Sequence, residues 1–112
     1  MSDCIFCKIA SGDIPTEKIL DEDDLIVFRD TNAQAPTHLL VIPRKHIATM
    51  NDASEADEVL LGRLLGACRR AAEAEKLSDY RIVNNCGESA GQSVFHIHLH
   101  VLGGRSLGWP PG

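Results

Sequence analysis

The sequence has no apolar run near the roughly 20 residues that a membrane-spanning helix needs, and its opening Met1-Ser2-Asp3-Cys4 lacks the basic start of a signal peptide. A cytoplasmic protein with no membrane partner is therefore expected. Positive charge is also in short supply. Eleven Lys and Arg, scattered along the chain, stand against 16 Asp and Glu, a formal net charge of −5. A protein that tracks a nucleic-acid backbone needs the opposite balance, so no nucleic-acid polymer is expected as a partner. A small anionic ligand is still compatible with this charge if backbone N–H groups and local dipoles hold it. Repeats and low-complexity segments are absent, and 112 residues suit one compact domain, 1–112.

What the chain does have is the run Phe95-His96-Ile97-His98-Leu99-His100-Val101-Leu102. Strict alternation of His with large apolar residues is the period-2 pattern of a half-buried strand, which places three of the five histidines on one face and Ile97, Leu99 and Val101 in a core. A strand rises about 3.3 Å per residue, which puts His96 and His100 roughly 13 Å apart, while ligand nitrogens sit about 2 Å from a metal. One ion is not readily held by all three. The row suits a central imidazole, His98, acting as nucleophile or base, with its neighbours setting tautomer and charge.

The remaining elements follow in order. Ser2 or Asp3 is expected to cap a short helix over Cys4–Ala10, stopped by Gly12. Lys18–Asp21 and Leu25–Arg29 read as a hairpin across an acidic turn, and His38–Ile42 as a third strand ended by Pro43. Ser54 and Asp57 form a capping-box pattern ahead of a long helix to about Lys76, with Val59, Leu60, Leu64, Cys68, Ala71 and Ala72 at helical spacing. Tyr80–Asn85 is a fourth strand and the histidine row a fifth. Gly103-Gly104 ends it, leaving a tail, 103–112. Predominant hairpins with one long helix predict an α+β protein: a five-stranded antiparallel sheet with one long and one short helix.

Two further stretches invite chemistry. Gly87-Glu88-Ser89-Ala90-Gly91-Gln92-Ser93 has no Lys after its second Gly and precedes a strand, so it is not a Walker A loop. Its N–H groups around Gly91, Gln92 and Ser93 could still hold a phosphate, and the Ser93 hydroxyl could pass a proton to a leaving amine; an ordinary hairpin turn is the competing reading. Cys4 and Cys7 share a helix face. No strand precedes them, which argues against a thioredoxin-like pair, and a zinc site needs two more ligands.

The run His96–Leu102 resembles the histidine-triad signature, and the resemblance extends through Cys4–Ile9, Gln34–His38, Gly91–Val94 and the closing Trp109-Pro110-Pro111-Gly112. The last of these looks like the Hint branch, the histidine triad nucleotide-binding proteins. The resemblance implies the HIT-like fold as a two-fold homodimer. It also implies a purine nucleoside phosphoramidase, or nucleotidyl hydrolase, that cleaves purine nucleoside monophosphate derivatives through a nucleotidyl-histidine intermediate. His98 would be the nucleophile, with His38, His96, His100 and Ser93 as further catalytic residues and no catalytic cofactor.

By the same matching, Ile5, Phe6, Phe28 and Leu40 would sandwich the base and Asp30 would take the ribose hydroxyls. Asn85, Gly91, Gln92, Ser93, His98 and His100 would meet phosphate, and Trp109 would border the leaving-group site of the other protomer. Thr31 departs from the larger apolar residue common after the ribose carboxylate. The family's zinc-bearing members imply a structural zinc on Cys4, Cys7, His46 and His96; two buried thiols with a surface His46 is the competing reading. A nucleotide-binding regulatory module acting through protein partners is the alternative to an enzyme.

Overall fold

The computed structural model describes residues 3–112. Five strands, β1 (Lys18–Asp21), β2 (Leu25–Arg29), β3 (Thr37–Pro43), β4 (Tyr80–Val83) and β5 (Leu99–Gly103), form one antiparallel sheet in the order β1-β2-β3-β5-β4. The short helix α1 (Ile5–Ser11) and the long helix α2 (Glu58–Ala74) complete the expected α+β fold, with single 3-10 turns at Met50–Asp52, Glu55–Asp57 and Glu88–Ala90. Among the described residues no helix is long and apolar enough to cross a membrane.

Side-chain alternation sorts the sheet into two faces. Leu25, Val27, Leu39, Val41, Leu99 and Val101 pack against Leu64, Ala67, Cys68, Ala71 and Ala72 of α2. The opposite face carries Ile26, Phe28, Leu40 and Ile42, covered by Phe6, Ile9 and Ala10 of α1. Arg44 fastens α1 in place by donating to Ala10 O (2.6 Å) and to Glu22 O (2.9 Å) while pairing with Asp21.

Several boundaries differ from the sequence expectation. Cys4, not Asp3, caps α1, its Sγ accepting from Cys7 N–H at 3.4 Å; Ser2 lies outside the described residues. The Ser54–Asp57 box closes the 3-10 turn, and α2 begins one residue later. Val59 stands about 140° around the helix from Leu64 and is 79% exposed, so it does not join the buried stripe. The helix ends at Ala74, where Lys76 turns the chain at φ 60 and Leu77 N–H donates back to Ala72 O.

The largest departure concerns the histidine row: β5 begins only at Leu99, so His96 and His98 precede the strand and the 13 Å spacing of an extended row does not apply. The reason lies in the partners. The β4 ladder stops at the Val83–His100 pair and the β3 ladder at Val41–Leu99. The Ile97 N–H goes to Ile47 O at 2.6 Å, outside the sheet. At the other end Gly103 is still strand, and a Cβ there would meet Leu77 at 2.9 Å; the break comes at Gly104, φ 93.

Candidate active site

The segment 96–98 is held by hydrogen bonds that replace a ladder, and these fix the imidazoles. His98 Nδ1 lies 2.8 Å from the carbonyl two residues earlier, His96 O. A carbonyl only accepts, so Nδ1 carries the proton and Nε2 of neutral His98 carries the lone pair. The residue is buried, its ring edge-on to Phe6 (centroids 5.1 Å, 90°) and 5.0 Å from the His100 ring. The His98 carbonyl accepts from Asn84 Nδ2 at 2.9 Å.

A second chain of bonds begins at a backbone amide. Gln34 N–H donates to His38 Nδ1 at 3.0 Å, so the His38 proton sits on Nε2. That Nε2–H faces His100 Nδ1 at 2.9 Å, with Asp30 Oδ2 farther off at 3.4 Å. His100 accepts at Nδ1 and its own proton is therefore on Nε2, a buried atom with no partner among the described residues. An unmet buried donor is disfavoured unless a ligand supplies an acceptor. Burial, then the neighbouring His98 and His38, push the His100 pKa down to about 4, and burial lowers that of His38 against the pull of Asp30. Near pH 7 the pair are neutral dipoles. Asp30, His38 and His100 bring donor atoms within 4.8 Å of one another. The proton on His38 Nε2 points into that group, however, which suits a relay and not a metal.

The third imidazole belongs to a different cluster. His96 Nε2 lies 2.8 Å from Pro43 O and so carries the proton, leaving the Nδ1 lone pair facing Cys4 Sγ (3.4 Å), Cys7 Sγ (3.5 Å) and His46 Nδ1 (3.2 Å). Cys7 Sγ is 3.3 Å from His46 Nδ1. A zinc with Zn–N about 2.05 Å and Zn–S about 2.3 Å sets tetrahedral edges of about 3.3 Å between nitrogens and about 3.5 Å between nitrogen and sulfur. The separations agree with those edges, and the four donors fit a closed zinc site of structural type. Burial lowers the His96 pKa, the Pro43 carbonyl opposing, and a ligand must be neutral to bind.

Around this core the other predicted residues fall as follows. Phe28 pairs across the strands with Leu40, and Leu40 with His100, so a wall of apolar side chains runs from β2 to β5. Phe6 meets Phe28 edge-on at 5.6 Å, while Ile5 is 48% exposed beside it in sequence. Asp30 uses Oδ1 to accept from Asn32 N–H at 2.8 Å. Asn85 lies against Gly91, where a Cβ would come 3.6 Å from Asn85 Nδ2. Ser93 is exposed. The Gln92 side chain is buried and spent on the loop itself, accepting from Gly87 N–H and donating to Ala48 O (2.8 Å) and Val94 O (3.0 Å). Trp109 is 83% exposed on a tail tied down by Arg81, which donates to Gly108 O at 2.7 Å.

The Gln34 amide, the Pro43 carbonyl and Asn84 act on the histidines directly and the Ile47 carbonyl on Ile97 between two of them, and none of these groups was singled out from the sequence. Backbone groups leave no mark in a sequence. Asn84 left one, a polar residue at a strand end on the inward phase.

The sequence matches the HIT domain family model over residues 11–107, most of the chain, and the chain belongs to that family. Its relatives include an uncharacterized HIT-like protein of Synechococcus elongatus, 46% identical over 111 residues, which span 98% of this chain and 97% of that one. A HIT family hydrolase of Legionella pneumophila superposes with TM-score 0.95 at 51% identity, over 98% of this chain and all of the other. A histidine triad protein of Clostridium difficile gives TM-score 0.92 at 36% identity, over 96% of each chain.

Proposed function

We propose that the protein is a purine nucleoside phosphoramidase of the Hint branch. In this reading a cytoplasmic homodimer hydrolyses adenosine or guanosine 5′-phosphoramidates and related nucleotide conjugates to the nucleoside monophosphate. The observation that carries it is the His98 tautomer: Nδ1–H engaged with His96 O leaves a buried, oriented Nε2 lone pair. The Legionella neighbour's name, HIT family hydrolase, supports hydrolysis as the outcome.

The chemistry divides into two displacements. His98 Nε2 attacks the α-phosphorus, the P–N bond breaks, and its electron pair leaves with the amine, which takes a proton by way of the Ser93 hydroxyl. A water oxygen then attacks phosphorus, the P–Nε2 bond returns its pair to the imidazole, and the water's proton makes good the one Ser93 gave up. The His100 Nε2–H, already oriented and without a partner, meets a phosphoryl oxygen and stabilises the charge that grows on it. Phe6, Phe28 and Leu40 supply an apolar wall for the base and Asp30 a carboxylate for the ribose. Cys4, Cys7, His46 and His96 would hold a structural zinc, which stiffens the segment ahead of His98.

The dimer reading is supported by the α2 side of the sheet. A groove of about 260 Å³ lies between Met50, Leu61, Leu65 and Ile82, with Leu65 53% and Ile82 37% exposed. A two-fold partner would cover it. The test of the activity is direct: AMP release from adenosine 5′-phosphoramidate, measured with chelator present. Wild type should turn over and the His98→Ala variant should not, while AMP binding stays within about tenfold. Turnover by His98→Ala at the wild-type rate would remove the nucleophile assignment.

A further inference from the structure

Asn84 and Asn85 are adjacent, yet their side chains serve different sides of the sheet. Asn85 lies beside Gly91 of the phosphate-side loop. Asn84 lines the α2-side groove with Leu61, Leu64 and Ile97, and from there its Nδ2 donates to the His98 carbonyl at 2.9 Å. The His98 imidazole leaves from the other face, edge-on to Phe6 of α1. We infer that Asn84 is a positioning residue for the nucleophile, holding His98 by its main chain from behind the sheet without meeting substrate. This rests on the reading of His98 as nucleophile.

The need for such a bond follows from the broken ladder. Ile97 N–H fixes the chain before His98, and the bond to His96 O fixes the ring relative to that chain. The peptide after His98 is held by Asn84, because the β4 pairing stops at Val83–His100. A backbone rotation of about 10° moves an atom about 4.5 Å away by roughly 0.8 Å, and misplacement of about 1 Å is enough to slow a reaction by about a hundredfold. The loss falls on the chemical step and not on binding, since the nucleotide contacts lie on the opposite face.

Asn84→Ala and Asn84→Asp test the assignment. For adenosine 5′-phosphoramidate, kcat should fall about ten- to a hundredfold in both, with KM and AMP affinity within about twofold. An ionised carboxylate cannot donate to a carbonyl but a protonated one can, so the deficit of Asn84→Asp relative to wild type should narrow as pH is lowered from about 8 to about 5.5. The His98 Nδ1–H proton resonance, read in the free protein by NMR, should exchange faster in both variants. If Asn84→Ala does not fold, the isosteric Asn84→Asp carries every arm. A kcat within twofold of wild type, a KM that rises in step with the fall in kcat, or an unaltered Nδ1–H resonance would overturn the inference. Wild-type protein that releases no AMP would refute the phosphoramidase reading alone, because the resonance still reports on Asn84.

Discussion

The relay from Gln34 through His38 to His100 ranks two substitutions that residue type alone would treat as equals. His100→Phe removes the buried Nε2–H that has no partner among the described residues. Loss of one pre-oriented donor to a developing oxyanion lowers kcat by about 10²- to 10³-fold. His38→Phe leaves that donor in place but removes the group that fixes its tautomer. Freed of His38, His100 still samples the productive tautomer for a substantial fraction of the time, so kcat should fall only about tenfold. Stability ranks in the opposite order. His38→Phe strands two groups, the Gln34 N–H and His100 Nδ1, each previously satisfied at 3.0 and 2.9 Å. A buried polar group left unsatisfied costs about 1–3 kcal/mol, and the Gln34 N–H, on an exposed residue, adds about 1 kcal/mol or less, so a loss of about 2–4 kcal/mol is expected, against about 1 kcal/mol for His100→Phe. Single-turnover AMP release and urea denaturation of both variants measure the two orders. Equal kcat losses, or a more severe loss for His38→Phe, would mean that His38 acts on the substrate and that the relay assignment is wrong.

Purified protein never exposed to chelator should carry close to one zinc per chain by elemental analysis, and Cys4→Ser or metal removal should lower Tm by several degrees; less than about a tenth of a zinc per chain refutes the site. The depressed pKa values of His38 and His100 also set a pH dependence. The unfolded chain takes up protons below about 6.5 where the folded one does not, so their contribution to stability is complete above that pH and is lost as pH falls toward about 4. Urea midpoints of metal-free protein that stay flat between pH 7 and pH 5 would contradict it. Sedimentation should find a dimer at micromolar concentration, and deletion of residues 107–112 should change selectivity among leaving amines more than AMP affinity. A monomer, or a truncation with unchanged selectivity, disproves the placement of Trp109 at the partner's site.

Much of the fold was legible because its signals are local. Lys18–Asp21 and Leu25–Arg29 flank an acidic turn, the α2 stripe repeats at helical spacing, and Pro43 closes β3 by lacking an N–H. Val59 misled because an apolar residue in the first turn of a helix satisfies a count of hydrophobics while standing off the stripe. The triad was legible as a constellation and misread as a strand. Alternation records which way side chains point, and the segment 96–98 keeps that alternation after its ladder partners have gone, with hydrogen bonds from Ile97 to Ile47 and from Asn84 to His98 standing in for them. Gln92 shows the reverse case: its N–H, expected to be open to a phosphate, donates to Gly87 O at 3.1 Å, and its side-chain amide is taken up by Gly87, Ala48 and Val94.

Three histidines of one signature acquire three different chemistries from the atom each is bonded to. His96 and His98 both donate a hydrogen bond to a carbonyl, but from opposite nitrogens. His96 uses Nε2 on Pro43 O and turns its Nδ1 lone pair to the thiols, whereas His98 uses Nδ1 on His96 O and turns its Nε2 lone pair to the site. His100 accepts a hydrogen bond at Nδ1 from His38 Nε2–H and so presents a donor where His98 presents an acceptor. On the proposed reading, a nucleophile beside a donor is the pairing that displacement at a phosphoryl group requires: attack on phosphorus at one nitrogen, stabilisation of oxygen at the other. The backbone therefore assigns the roles. Exchanging His96 for another ligand type such as Cys would leave His96's carbonyl, and with it the tautomer of His98, unchanged. The effect of that substitution on turnover then measures how much the quartet contributes by rigidity alone.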